Sequence, residues 1–351
     1  MTPEQALIPE SSRRADAAYL DFVEGIREFV LNEQDGLDND IDQLFANLEQ
    51  RRGKPYASFE EVAGVMDRTA VGPLRNRLMR TQQEMQWRRI VATLEPKRAA
   101  LEAELASYEE RGPGELLLDP DFRTPDYANV HFHLQPGGYH KDPLAGYYYH
   151  YSTKVFFRGL NDSDAIHKGA AKPTPLPEDG KVQRVLDLGC SIGQSTTALK
   201  QKFPQATVWG IDHSAPMLRY AHRRSVELDV DVNFAQRLAE NNGFPDEHFD
   251  LVYSMILFHE IPTRIAEQVI QEVARVLRPG GLFVAHDFVS SENSTPLQLY
   301  HREYDCRYNG EPYAQQFCRS DFPGMIEAAG LKLQRTIGDG YGFMNTWWAE
   351  R

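Results

Sequence analysis

The string VLDLGCSIGQST, residues 185–196, constrains this chain more than any other part of it. An apolar run fit for a buried strand ends beside an acidic side chain, and glycines then open a turn into a helical pattern. The alternation recurs from Val182 onward. VQRVLDLG, ATVWGID, DVNFAQ, FDLVYSM and LFVAHDF read as strands; GQSTTALKQKF, SAPMLRYAHRRSVEL and RIAEQVIQEVARVL read as helices, the last closed by Arg278-Pro279-Gly280-Gly281. DFPGMIEAAG adds a short helix, and LKLQRTIG with GFMNTWWAE adds a terminal strand pair. Alternation at this spacing specifies an α/β fold with a parallel sheet and helices on both faces, whose ligands sit at the carboxyl ends of the strands.

Glycine and carboxylate positions narrow the ligand. At Gly189 and Gly193 a Cβ would collide with a ligand or with the helix. Asp212 ends WGID, one strand-helix-strand unit later, where a carboxylate can accept hydrogen bonds from the 2′- and 3′-hydroxyls of a ribose. A dinucleotide site carries GxGxxG, which lets a pyrophosphate reach the helix N-terminus. Here the spacing is Gly189-x-x-x-Gly193, and Asp187 before the turn repels a pyrophosphate while suiting an ammonium. A ligand with an amino-acid end and an adenosine end satisfies both carboxylates. S-adenosylmethionine is such a ligand.

Four ordered segments, VLDLGCSIGQST, WGIDHSAPMLRYA, AENNGFPDEHFDLVYS and EVARVLRPGGLFVAHDF, resemble class I S-adenosylmethionine-dependent methyltransferases of the UbiE/methyltransferase-11 kind over residues 182 to about 290. The resemblance implies a Rossmann-like, doubly wound sheet of seven strands with the last antiparallel. It implies that Gly189, Cys190 and Gly193 hold the methionine end of the cofactor, with Asp187 near its amino group. Asp212 would bind the ribose and His213 would lie against the adenine, with S-adenosylhomocysteine as the product. Ser191 stands where many members carry glycine. Leu238 stands where an Asp often contacts the adenine, which leaves the backbone of Ala239 or Arg237 for that contact.

Methyl transfer from a sulfonium is an in-line displacement, so the protein must align the acceptor and exclude water. Phenol, alcohol or carbon acceptors gain from a general base, whereas amines and thiols can need only desolvation and alignment. His259 and Glu260 follow the fourth strand, and His286 and Asp287 end the fifth; His259, Glu260 and His286 are the candidate catalytic groups. Ser254, ending the fourth strand, is a candidate cofactor contact. HFHLQPGGYH (131–140) and GYYYHYSTKVFF (146–157) concentrate aromatic, His and turn residues and read as a loop-rich lid over the pocket. His131, His133, Tyr139, His140, Tyr149 and His150 are the lid's candidate acceptor contacts, with His131 and His133 on one face of an extended segment. Core packing is the rival reading for the tyrosines. A metal site is the rival reading for the histidines, but no carboxylate or further His completes a ligand spacing, so no metal is expected. Tyr304 and His301, in the insertion after the fifth strand, join the acceptor candidates.

Between Ala15 and Arg111 the apolar residues recur at helical spacing, as in Leu20, Val23, Ile26 and Val30. Breaks fall at Gly53-Lys54-Pro55, Gly72-Pro73 and Gly112-Pro113-Gly114, and Ser58 with Glu61 forms a capping-box pattern. The charged residues of this region read as a solvated helix face. The expected organisation is therefore a helical domain over 1–114, a lid and linker over 115–180, and the cofactor domain over 181–351. A net charge of -13 disfavours nucleic acid and anionic membrane as partners. Three cysteines without a framework spacing fit a reducing, cytoplasmic setting, and no stretch has the length and apolarity of a membrane span. The reading is a methyltransferase acting on a small-molecule acceptor, with the N-terminal helices as a candidate homodimer surface. Its alternatives are a protein or RNA methyltransferase, or a catalytically silent cofactor-binding scaffold.

Overall fold

A computed structural model describes residues 14–32, 34–290, 294–338 and 344–351, apart from the side chain of Asp305. The opening MTPEQALIPESSR and the Gly342-Phe343 start of the expected last strand lie outside these. Five helices come first: α1 (Arg14–Leu31), α2 (Leu37–Arg52), α3 (Phe59–Met66), α4 (Val71–Leu94) and α5 (Arg98–Tyr108). Their punctuation follows local chemistry. Ser58 caps α3 by accepting the Glu61 backbone N–H at 3.3 Å, and α2 stops at Gly53 in the left-handed conformation.

The connecting region holds β1 (Leu116–Leu117), α6 (Ala145–Phe156) and α7 (Ala165–Ala171). The remaining elements are β2 (Arg184–Leu188), α8 (Gln194–Lys202), β3 (Thr207–Asp212), α9 (Ala215–Glu227), β4 (Asn233–Gln236) and β5 (Phe249–Met255). After them come α10 (Thr263–Val276), β6 (Leu277–Phe288), α11 (Pro296–Tyr308), α12 (Ala314–Cys318), α13 (Phe322–Ala328), β7 (Lys332–Gly338) and β8 (Met344–Glu350). The sheet order is β1-β4-β3-β2-β5-β6-β8-β7. Strands β1 to β6 pair in parallel, and β8 runs antiparallel between β6 and β7.

Two readings of the sheet change. The two-residue β1 comes from the segment read as lid and linker and pairs with the edge of β4, so the expected seven strands gain an eighth. The Arg278-Pro279-Gly280-Gly281 turn lies within the start of β6 rather than between helix and strand, where pairing with β5 shifts register between Phe249 and Leu251.

GYYYHYSTKVFF is helix, not loop. Tyr147, Tyr148 and Tyr151 of α6 are buried in one core with Leu20 and Val23 of α1, Trp87 and Ile90 of α4, and Met217 and Tyr220 of α9. Full burial of such a side chain stabilises by roughly 1.5–3 kcal/mol, so α6 welds the N-terminal helices to the sheet layer. A buried ion pair adds a second weld. Arg224 of α9 meets Asp164 at 2.6 Å and donates to the Ile192 carbonyl at 2.9 Å. Arg27, Arg75 and Asp16, read as part of a solvated face, are buried. Among the described residues no helix is long and apolar enough to cross a membrane.

Candidate active site

A cavity of about 480 Å³ lies between the carboxyl ends of β2, β3, β5 and β6 and helices α1, α4, α6 and α7. One end is built by the turn from β2 to α8. Gly189 has φ +63, and a Cβ there would come within 2.9 Å of Leu257 Cδ1, so only glycine keeps this wall open. Ser191 occupies the same kind of backbone, at φ +50, where the resemblance expects glycine. Its N–H donates to Asp212 Oδ2 at 3.0 Å, and the Ser214 N–H donates to Oδ1 at 2.9 Å. Two backbone donors thus fix the Asp212 carboxylate at the cavity edge, beside His213, Leu238 and Ala239.

At the other end, ionisable groups converge from four separate stretches of chain. His259 follows β5 and places Nδ1 2.6 Å from Asp287 Oδ1 of β6. Asp287 is itself fixed by the backbone N–H groups of Phe258 (2.7 Å) and Phe288 (2.8 Å). The His259 ring stacks on Phe288 with centroids 4.0 Å apart. Burial opposes charge on His259, but Asp287, with Glu311 and Glu260 beyond it, outweighs burial and raises its pKa above the ordinary 6.5. Among the described residues Nε2 has no hydrogen-bond partner, and it faces Glu311 Oε2 at 3.9 Å.

His133 completes the cluster. Its Nδ1 lies 2.8 Å from Glu311 Oε1 and its Nε2 3.4 Å from Glu260 Oε1. Burial works against its charge too, yet the two carboxylates hold the imidazole protonated by raising its pKa. Burial likewise disfavours the Glu311 anion, but His133 foremost, then His259, lowers its pKa. Asn309 donates to Glu311 Oε1 at 2.6 Å and is held in turn by Gln83 of α4 at 2.6 Å. Tyr139 donates to Glu260 Oε1 at 3.2 Å. Among the described residues no three His, Cys, Asp or Glu side chains are arranged to hold a metal ion.

Of the residues selected from sequence, Gly189, Cys190, Asp212, His213, Ala239, His259, Glu260, His286, His133, Tyr139, Tyr149 and Tyr304 line the cavity. His301 lines it as well. His286 is held by Thr346 at 2.6 Å, and burial lowers its pKa to about 4, so it is neutral near pH 7.

Six selected residues stand off the cavity wall. Asp187 is buried beneath the turn, where Ser195 and Thr196 each donate to its Oδ2 at 2.6 Å; burial raises its pKa to about 7 despite them. Gly193 faces the interior, where a Cβ would meet the Phe234 ring at 2.8 Å. Ser254 is buried inside β5. His131 is exposed: the chain turns in a short 3-10 helix at 132–134, and His133 takes φ +49, which breaks the expected two-residue alternation. His140 packs against His213 with ring centroids 5.9 Å apart, and burial lowers its pKa to about 4. His150 is a core residue bonded to the Tyr220 hydroxyl at 2.7 Å.

Glu311, Asn309 and Gln83 are absent from the sequence reading, because a lone Glu in NGEPY and a Gln on a helix carry no local pattern. Tyr149, Ser152, Thr153 and Phe156, which face the cavity from α6, do follow helical spacing.

Residues 185–281 match the family described as a methyltransferase domain. The chain is 32% identical over 157 residues to an uncharacterized methyltransferase of Synechocystis, covering 44% of this chain and 68% of that protein. It belongs to the class I S-adenosylmethionine-dependent methyltransferases. A fatty-acid O-methyltransferase of Mycolicibacterium smegmatis is 31% identical over 153 residues, 43% of this chain and 50% of that protein. A phosphoethanolamine N-methyltransferase of Arabidopsis thaliana is 28% identical over 148 residues, 41% of this chain and 29% of its own length. The chain therefore spans half or less of these two relatives, and the methyltransferase match leaves helices α1 to α7 outside it.

Proposed function

We propose that this methyltransferase modifies a small molecule enclosed in the cavity, with residues 131–150 as its cover and His259 as general base. S-adenosylmethionine, when bound, supplies a methyl group on a sulfonium. The residues at the β2 end fit such a cofactor: Gly189 keeps the wall clear, the Asp212 carboxylate is fixed at the cavity edge, and the buried His213 Nδ1 has no hydrogen-bond partner among the described residues. Gly189, Cys190 and Ser191 would hold its methionine end, Asp212 its ribose, and His213, Leu238 and Ala239 its adenine. Asp187 serves this site from behind by tying the β2 terminus to the first turn of α8.

The observation that carries the reading is the buried His259–Asp287 pair on the cavity wall. A carboxylate at Nδ1 selects the tautomer whose Nε2 lone pair faces the cavity, and this is the arrangement of a base that takes a proton from an acceptor. The lining from α1, α4 and α6 supports a small acceptor, as do the acidic chain and the two relatives named for small-molecule substrates. Purified protein and an Asp212→Ala control are incubated with methyl-labelled S-adenosylmethionine and cell extract, and small and large molecules are then separated. Label in the small fraction, absent with the control, is the expected result. Label confined to protein or RNA, or no transfer at all, overturns it.

A further inference from the structure

The two unsatisfied atoms of the ionisable cluster describe the group that fits between them. His259 Nε2 and Glu311 Oε2 are 3.9 Å apart, buried, and without hydrogen bonds among the described residues. One atom can lie within hydrogen-bond reach of both. Glu311 accepts only, because His133 and Asn309 hold its other oxygen as a carboxylate. His259 Nε2 also accepts when the ring acts as a base, since Nδ1–H is committed to Asp287. One donor atom serves two converging acceptors only if it carries two hydrogens. A hydroxyl has one hydrogen and would leave an acceptor unpaired at a cost of about 1–3 kcal/mol.

The charge around the gap points the same way. Glu260 and Glu311 flank the His133 imidazolium, Asp287 holds His259, and the Arg302 guanidinium acts on Glu311, so with His259 neutral these carboxylates outnumber these cations by one. A carboxylate, phosphate or phenolate acceptor would enter against that excess, whereas an ammonium offsets it. We infer that the methyl acceptor is an amine nitrogen seated between His259 Nε2 and Glu311 Oε2.

This rests on the small-molecule reading above. The amine enters as its ammonium and gives one proton to His259 Nε2, while a second N–H donates to Glu311. The freed lone pair forms the N–CH3 bond as the donor's S–CH3 bond breaks, and that electron pair stays on sulfur. His259 releases its proton to solvent, so each turnover yields one methylated ammonium, one thioether and one proton. Glu311 thereby acts as a specificity residue and His259 as the base.

The test uses the full chain with methyl-labelled S-adenosylmethionine and the small-molecule fraction of a cell extract. One half of the extract is first treated with N-hydroxysuccinimidyl acetate, then with hydroxylamine to free acylated hydroxyls. Blocking the amines is expected to abolish the labelled small product, and the product from untreated extract is expected to keep its label in mild base. Label that persists after blocking, or is released by base as methanol, overturns the amine assignment and leaves the small-molecule reading standing. No small labelled product from untreated extract overturns both. With the purified acceptor, Glu311→Gln is expected to raise KM on the order of tenfold with a smaller change in kcat. Its S-adenosylhomocysteine affinity, measured by calorimetry, is expected to match the parent. An unchanged KM alongside unchanged cofactor affinity removes Glu311 from acceptor recognition.

Discussion

His259 Nδ1 lies 2.6 Å from Asp287 Oδ1, and both side chains are shut away from solvent. A buried imidazole would ordinarily lose its proton more easily, and Asp287 reverses that tendency. As the proposed base His259 must be neutral to accept a proton, so activity is expected to fall as pH drops through a pKa above 6.5. Asp287→Asn removes the charge that raises this pKa. The His259 titration, followed by NMR of labelled histidine, is expected to move to lower pH, while kcat falls by about 10²–10⁴ because the ring is no longer oriented. An unmoved titration would separate Asp287 from the behaviour of His259.

Gly189 and Gly193 are separable by their effects. Gly189→Ala presses on Leu257 at the cavity wall and is expected to weaken S-adenosylhomocysteine binding at least about tenfold. Gly193→Ala presses on Phe234 inside the domain and is expected to cost about 1–3 kcal/mol of folding stability instead. Calorimetric titration and denaturant unfolding of both variants check the division.

Asp212→Asn keeps the size of the side chain but presents an N–H₂ group to one of the two backbone donors it now satisfies, Ser191 or Ser214. Cofactor affinity is expected to fall on the order of 10–100-fold through loss of the carboxylate and displacement of the turn. Equilibrium binding of S-adenosylhomocysteine measures it directly.

His133 ties the turn at 132–134 to Glu311 and Glu260. Its pKa is raised on folding, so the stability it contributes is fully present below about 6.5 and is lost as pH rises through the folded value. His133→Gln leaves Glu311 buried without its cation and is expected to cost about 3–5 kcal/mol at pH 6. The gap in Tm between parent and variant should narrow as pH climbs, because the parent then loses the same charge. A gap independent of pH would show that His133 is not held as a cation.

The helix order of the first 110 residues, the alternation after Val182 and the turn at Gly189 are all written in short-range pattern, and the structure follows them. Failures of the sequence reading are local conformations overruled by packing. GYYYHYST offers a turn-like, aromatic composition, but burying Tyr147, Tyr148 and Tyr151 between two layers stabilises a helix there. His131 and His133 lose their shared face to a 3-10 turn in which His133 and Leu134 both take positive φ.

By itself the sequence determined the strand–helix rhythm, the glycine turn and the carboxylate at the end of the second core strand, because each depends on residues only a few positions apart. Only the tertiary structure decided that Glu311, from an undistinguished turn, sits between His133 and His259, with Gln83 of α4 holding it through Asn309. These groups come from distant stretches of chain, and nothing in their neighbours' periodicity encodes the meeting. Their protonation is set by that meeting as well, since burial opposes each charge and only the partners brought in by folding restore it.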